Sequence, residues 1–199
     1  MTNTKVCWVL GNGRISNKLK ETIDPASYRV VFNQSMHPSL AKHAAEHWFN
    51  VCGRNAYRNL KNGTILHQIA LSQASDILCS RPETSRFANL GYLLSLQRTK
   101  LNYAKEYKTE LEKQGHRVSA PTKTLINDLA KILSDLAQQA VNYPSTGIVA
   151  IHHIVTLQQF EEINLAGFQF SGWKKHSWSA EEHYVYQLKE KGILNFYAD

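Results

Sequence analysis

Apolar residues along this chain fall in short runs punctuated by turn residues, and the runs switch between two periods. Val6-Cys7-Trp8-Val9-Leu10 is unbroken and apolar and is closed by Gly11-Asn12-Gly13, the pattern of a strand buried on both faces that ends in a tight turn. Ser16 is placed to cap a helix over 17–22, and Tyr28 to Phe32, rich in β-branched and aromatic residues, reads as a second strand. Strand, glycine turn, helix, strand is the opening of a Rossmann-like α/β sheet flanked by helices. Downstream, 40–48 has helical character, 64–71 looks like a strand, 76–79 reads as another, and 86–114 is a mostly helical stretch with a ragged apolar face ending at Gly115. A short strand is expected over 116–120. Pro121 opens a clear amphipathic helix with Leu125, Leu129, Ile132, Leu133 and Leu136 at helical spacing. Pro144-Ser145-Thr146-Gly147 breaks the chain before an apolar helix to Leu157, and 163–168 reads as a strand. The capping-box pattern Ser179-Ala180-Glu181-Glu182 predicts the start of a last helix running to Lys191.

At 199 residues the chain suits one domain, 1–199, and 43% hydrophobic with 20% charged residues is a globular mix. That excludes a disordered chain, a collagen-like fibre and a disulfide scaffold. No apolar stretch approaches a membrane span. Met1 to Lys5 leads straight into the first strand without the basic flank and long apolar run of a signal peptide. The three cysteines, Cys7, Cys52 and Cys79, are odd in number and widely spaced, and read as reduced core thiols of a cytoplasmic protein. The formal charge of +7 favours anionic partners: nucleotides, nucleic acid, acidic glycans or a lipid surface.

Three places carry candidate chemistry. Gly11-Asn12-Gly13 lets backbone amides approach an anion at a strand's C-terminal end, and Asn12 adds an amide that can both donate and accept. Alone, an ordinary strand-to-helix turn reads the same way, and the third glycine of a dinucleotide fingerprint is missing. Pro144-Ser145-Thr146-Gly147 sets hydroxyls and amides at a helix start, suited to a phosphate or carboxylate, or simply to capping. His176 lies in the loop before the last helix with Glu181 in its first turn; a loop histidine held by an acid is suited to general-base work, with Lys174 and Lys175 beside it to offset a phosphate.

Taken together these places resemble the animal-type sialyltransferase family and its compact bacterial relatives, which use CMP-activated sugars. Val9-Leu10-Gly11-Asn12-Gly13, then Ile23-Asp24 and Arg29-Val30-Val31-Phe32-Asn33, looks like the large sialyl motif. Tyr143-Pro144-Ser145-Thr146-Gly147-Ile148 with Ile163-Asn164-Leu165-Ala166-Gly167-Phe168 looks like the small motif, and His176 and Glu181 have the His-x4-Glu spacing of the very small one. The resemblance implies a variant type-A glycosyltransferase fold, a glycosyltransferase-like domain over 1–199, and metal-independent inverting transfer from a CMP-sugar, sialic acid-like or Kdo-like. The acceptor would be a glycan or other hydroxyl-bearing molecule, which an anionic one would also satisfy. It implies no cofactor beyond the donor substrate and no metal. Asn12 and Asn33, with Gly11 and Gly13, would hold the phosphate and ribose side; Ser145, Thr146 and Gly147 the nucleotide or donor carboxylate. His176 would take the acceptor proton, and Glu181 would orient the site or steady the helix start. The cysteine pair of the secreted animal enzymes has no counterpart, and only eight residues separate Gly167 from His176.

The alternative is a non-enzymatic nucleotide- or nucleic-acid/polyanion-binding module, with the lysines of 100–113 interleaved by Tyr103 and Tyr107. A solvated helix face explains that stretch as well. His43 and His47 at i, i+4 lack the glutamate directly after the first His that a zinc helix needs, and read as a solvent-facing pair. His152-His153, adjacent on a helix, point about 100° apart and do not chelate together. Asp128 and Asp135 read as the wet face of their helix.

Overall fold

A computed structural model describes residues 6–34, 37–141, 144–172, 174 and 176–197. Its centre is a seven-stranded, wholly parallel sheet in the order β5-β4-β3-β2-β1-β6-β7. The strands are β1 (Val6–Leu10), β2 (Tyr28–Phe32), β3 (Glu46–Phe49), β4 (Asp76–Cys79), β5 (Val118–Ser119), β6 (Glu162–Ala166) and β7 (Asn195–Tyr197). The helices are α1 (Asn17–Thr22), α2 (Pro38–Ala41), α3 (Gly53–Lys61), α4 (Thr64–Ser72), α5 (Arg86–Leu94), α6 (Ala104–Lys113), α7 (Lys123–Ala137), α8 (Thr146–Leu157) and α9 (Trp178–Glu190). The chain thus builds outward from β1 in one direction as far as β5, then returns across to β6 and β7. The reversal falls between β1 and β6. This is a single-domain Rossmann-like α/β architecture, a parallel sheet flanked by helices.

A parallel sheet is covered on both faces, and the alternation in β1 shows it. Cys7 and Val9 join the cluster built on Leu129 and Leu133 of α7, Ile148 and Ile151 of α8, and Val185 of α9. Trp8 and Leu10 join the opposite cluster with Ile15, Ile23 and Leu40. A third cluster under α4 and α6 packs Ile69, Tyr107 and Leu111 against Ile77 and Cys79. Asp128 and Asp135 do lie on the exposed side of α7. Among the described residues no helix is long and apolar enough to cross a membrane.

Three sequence readings are overturned. Residues 40–48 hold only the short helix α2, and Glu46–Phe49 is strand β3; His47, read as solvent-facing, is fully buried there. Its ring hydrogen-bonds the Ser72 hydroxyl (2.9 Å) and the Asn33 carbonyl (2.7 Å). Residues 64–71 form helix α4 rather than a strand: Ile65 and Ile69 at i, i+4 reach the core, a period that a short apolar run hides. The last helix starts at Trp178 with Ser177 at its N-cap, so Ser179 lies inside the first turn and no capping box forms. The stretch 86–114 divides into α5 and α6 around Asn102, whose side chain is engaged by Pro82 and Ala104. Helix α3 and strand β7 were not anticipated.

Candidate functional site

In open parallel sheets a ligand crevice opens at the C-terminal strand ends, where neighbouring loops part at the point of reversal. Here a cleft of about 1060 Å³ occupies that place. It is lined by the segments that follow β1 (Gly11 to Gly13), β2 (Asn33), β3 (Asn50 and Cys52), β4 (Ser80 to Thr84) and β6 (Gly167 to Ser171). Ser145, Thr146 and Gly147 at the start of α8 and His176 before α9 close its other side. Gly11, Asn12, Gly13, Asn33, Ser145, Thr146, Gly147 and His176, far apart in sequence, therefore share one cavity. Glu181 lies behind it, fully buried. Tyr143 and Lys175, both named from the sequence, lie outside the described residues.

The two loops leaving β1 and β6 touch backbone to backbone. Gly11 N donates to Ala166 O at 2.8 Å and Gly13 N to Gly167 O at 2.7 Å. A Cβ on Gly11 would stand 2.2 Å from the Gly167 carbonyl oxygen, and one on Gly13 2.7 Å from it. Close approach is what these glycines provide. Their amides are engaged by β6 and are not offered to an anion, which corrects the phosphate-cradle reading of the turn; its polar offering to the cleft is Asn12. His37 Nε2 donates to the Gly13 carbonyl at 2.7 Å and ties the turn from the other side.

Asn33 adopts a left-handed conformation (φ 42°) just past β2, and its Oδ1 accepts from Asn50 N at 2.7 Å. Asn50 braces its own turn, with Oδ1 accepting from Cys52 N (3.1 Å) and Nδ2 donating to Cys52 O (3.2 Å). An asparagine thus follows each of β1, β2 and β3 at the cleft: Asn12, Asn33 and Asn50. Asn50 escaped the sequence reading because β3 did; with 46–49 read as a strand, the repeated strand-then-Asn pattern is visible.

Ser145 is the N-cap of α8, and its Oγ accepts from Ile148 N at 3.2 Å. Glu181 receives both remaining donors of that residue: Ser145 N at 2.8 Å and Ser145 Oγ–H at 2.6 Å. Glu181 also belongs to the first turn of α9, so one carboxyl sits at two helix N-termini. Burial is the larger influence and pushes it up to about 7, against the Ser145 hydrogen bonds and the positive charge of Arg81, which pull it down. The first-turn amides of Thr146 and Gly147 have no acceptor within α8. The Phe168 ring lies over this turn, 2.9 Å from where a Gly147 Cβ would stand.

Arg81, also missed from the sequence, lines the cleft beside this turn and donates from Nη2 to the Pro144 carbonyl at 3.3 Å. With Arg54, Lys100 and Lys123 it makes the lining cationic, against Glu83. His176 is half-buried, its ring edge-on to Trp178 with centroids 4.8 Å apart. Of the described histidines only His176 lines the cleft itself. His152 is buried on α8 with Nδ1 at 2.7 Å from the Tyr184 hydroxyl. Cys7 and Cys79 are buried, Cys52 is half-buried at the cleft, and burial raises all three thiols. Among the described residues no group of three or more His, Cys, Asp or Glu is placed to hold a metal ion.

The fold is similar to that of the Campylobacter jejuni sialyltransferases CstII and Cst-I. The chain is similar to sialyltransferase CstII from Campylobacter jejuni in complex with CMP-3FNeuAc, at a TM-score of 0.60 and 15% identity over 97% of this chain and 81% of that one. It is similar to CST-II with a trisaccharide acceptor and CMP (TM-score 0.56, 13% identity, 97% and 80% covered). It also matches the monofunctional α-2,3-sialyltransferase Cst-I from Campylobacter jejuni (TM-score 0.56, 14% identity, 100% and 76% covered). In sequence, the urease operon 23 kDa accessory protein of Rhizobium meliloti (strain 1021) is 29% identical over 206 residues, 98% of this chain and 93% of its own. No family model matches, so the large, small and very small sialyl motifs remain a resemblance.

Proposed function

We propose that the cleft binds a CMP-sugar, sialic acid-like or Kdo-like, and transfers the sugar to an acceptor hydroxyl with inversion at the anomeric carbon. The observation that carries this reading is the convergence of Asn12, Asn33, the Ser145 turn and His176 on one cleft at the sheet's point of reversal. The shared fold of sialyltransferases solved with CMP and CMP-3FNeuAc supports it.

In this reading His176 accepts the proton of the acceptor hydroxyl as its oxygen bonds to the anomeric carbon. The bond from that carbon to the phosphate oxygen breaks, and CMP leaves with the electron pair. The charge gathering on the phosphate is met by Arg81, by Asn12 and by the Thr146 and Gly147 amides at the positive end of α8. Asn33 and Asn50 shape the ribose side. Ser145, whose hydroxyl already caps α8 and donates to Glu181, is a positioning residue, and Glu181 acts through it. The transfer as proposed draws on no metal ion or further cofactor.

The competing reading, a polyanion-binding module, loses one of its supports. Tyr107 is 1% exposed and donates its hydroxyl to the Ala56 carbonyl, so it cannot stack on a base.

A thermal-shift titration with CMP, AMP, UMP and GMP in EDTA tests the proposal. A ligand specific to the native state adds about 2.7 kcal/mol at one hundred times its Kd. For a chain of this size that is a Tm rise of roughly 5–10 °C. A rise selective for CMP is expected. No shift with any nucleotide, with or without EDTA, overturns the donor assignment, and a CMP shift that appears only in a parallel series with a divalent cation in place of EDTA overturns the metal-free mechanism.

A further inference from the structure

Helix α5 is built inside out. Phe87 is 86% exposed, Leu90 51%, Leu93 47% and Leu94 75%, and Leu96 just beyond it is 76% exposed. None of its residues is buried. Phe87, Leu90 and Leu94 stand at i, i+3 and i+7, a single outward stripe. The side turned to the protein is small or polar. Asn89 donates from Nδ2 to the Asn102 carbonyl at 2.7 Å and accepts from Asn102 N at 3.0 Å. Tyr92 lines the cleft. A contiguous apolar stripe of this kind on a soluble surface marks an interaction site.

The charges around the stripe choose its occupant. From Arg86 to Lys100 there are three basic residues, Arg86, Arg98 and Lys100, and no acidic one. A second copy meeting this stripe symmetrically would set those cations against their own counterparts. An anionic lipid surface satisfies both features at once: acyl chains take Phe87 and the leucines, and headgroup phosphates take the arginines. We infer that α5 docks this protein on an anionic phospholipid surface and turns the cleft rim, through Tyr92 and Lys100, toward that surface. An acceptor carried on a lipid would then reach the cleft without leaving the bilayer. The docking itself does not rest on the CMP-sugar reading.

The test is co-sedimentation of the full chain with vesicles of phosphatidylcholine alone or mixed with phosphatidylglycerol. The chain is expected to pellet with the mixed vesicles and to be released by salt. Binding should fall at least about tenfold in Phe87→Ser/Leu94→Ser and about fivefold in each of Arg86→Gln and Arg98→Gln. These side chains are exposed, so circular dichroism and Tm serve as folding controls. No pelleting, or equal pelleting of wild type and variants, overturns the inference. So does a concentration-dependent dimer, seen by light scattering without lipid, that Phe87→Ser/Leu94→Ser abolishes.

Discussion

Replacing Glu181 with Gln isolates one buried carboxyl that joins two helices at the cleft wall. Glu181 moves from an ordinary 4.5 to about 7 on folding, chiefly by burial. Between those values the native carboxyl keeps its proton while the unfolded chain has released it. The native state then binds more protons, so stability falls as pH rises from about 4.5 to 7 and stays at the lower level above that. At about 1.4 kcal/mol for each tenfold change in proton affinity, the loss is about 3 kcal/mol. The wild-type curve alone will not display it. Burial pushes His47 from 6.5 down to about 4, opposed by its hydrogen bond to the Asn33 carbonyl. Between 4 and 6.5 the unfolded chain binds the extra proton, and stability rises with pH by a similar amount. The two slopes offset each other over much of the acid range. The substituted glutamine would keep an oxygen to accept from Ser145 N and an amide beside Ser145 Oγ, so the fold is preserved while the ionisation is removed. The assay is urea unfolding at several pH values from 4.5 to 8 for both proteins. The wild-type minus Glu181→Gln difference should fall by about 3 kcal/mol with rising pH. A difference that is flat with pH refutes the placement of a desolvated carboxyl there; a rising one refutes the dominance of burial over the Ser145 and Arg81 contacts.

His176→Ala should remove transfer from CMP-sugars, as single-turnover rates would show, while CMP still raises Tm to the wild-type extent; full activity in that variant sinks the base assignment. Gly11→Ala places a methyl 2.2 Å from the Gly167 carbonyl oxygen, backbone against backbone, and should cost about 3 kcal/mol or more by urea unfolding. An unchanged midpoint there would mean that the β1 and β6 loops do not meet as described.

The sequence was most legible where one kind of evidence sufficed. β1 is a continuous apolar run between turn residues, β2 is rich in β-branched and aromatic residues, and Ser16 and Ser145 cap α1 and α8 with side-chain acceptors as their positions imply. It was least legible where tertiary contact decides. Glu46-His47-Trp48 carries two titratable residues yet lies in a buried strand, because Glu46 accepts from the Tyr28 hydroxyl and Trp48 Nε1, both at 2.6 Å. Those partners come from a neighbouring strand and the next turn of the pleat, which no local period reveals. The Glu181 contact was hidden for the same reason: its partner is 36 residues earlier.

That last misreading also says why the two ends of the cleft wall hold together. The Ser145 turn and the His176 loop belong to different helices, α8 and α9, which share a core and the His152–Tyr184 hydrogen bond. At the cleft end, a carboxyl from α9 that receives both donors of the α8 cap ties the two starts together. Lengthening this contact would let the Thr146 and Gly147 amides drift from His176. In the proposed transfer, phosphate stabilisation and proton removal would both lean on this brace at the cleft end, with the His152–Tyr184 hydrogen bond joining the same helices deeper in, since oriented groups lose effect steeply with misplacement. Glu181→Ala makes the dependence measurable. Removing both hydrogen bonds from a buried site should cost about 3 kcal/mol in stability, and should weaken CMP binding although Glu181 itself lies behind the cleft wall. Loss of stability with CMP affinity intact would show instead that the α8 turn keeps its place without α9.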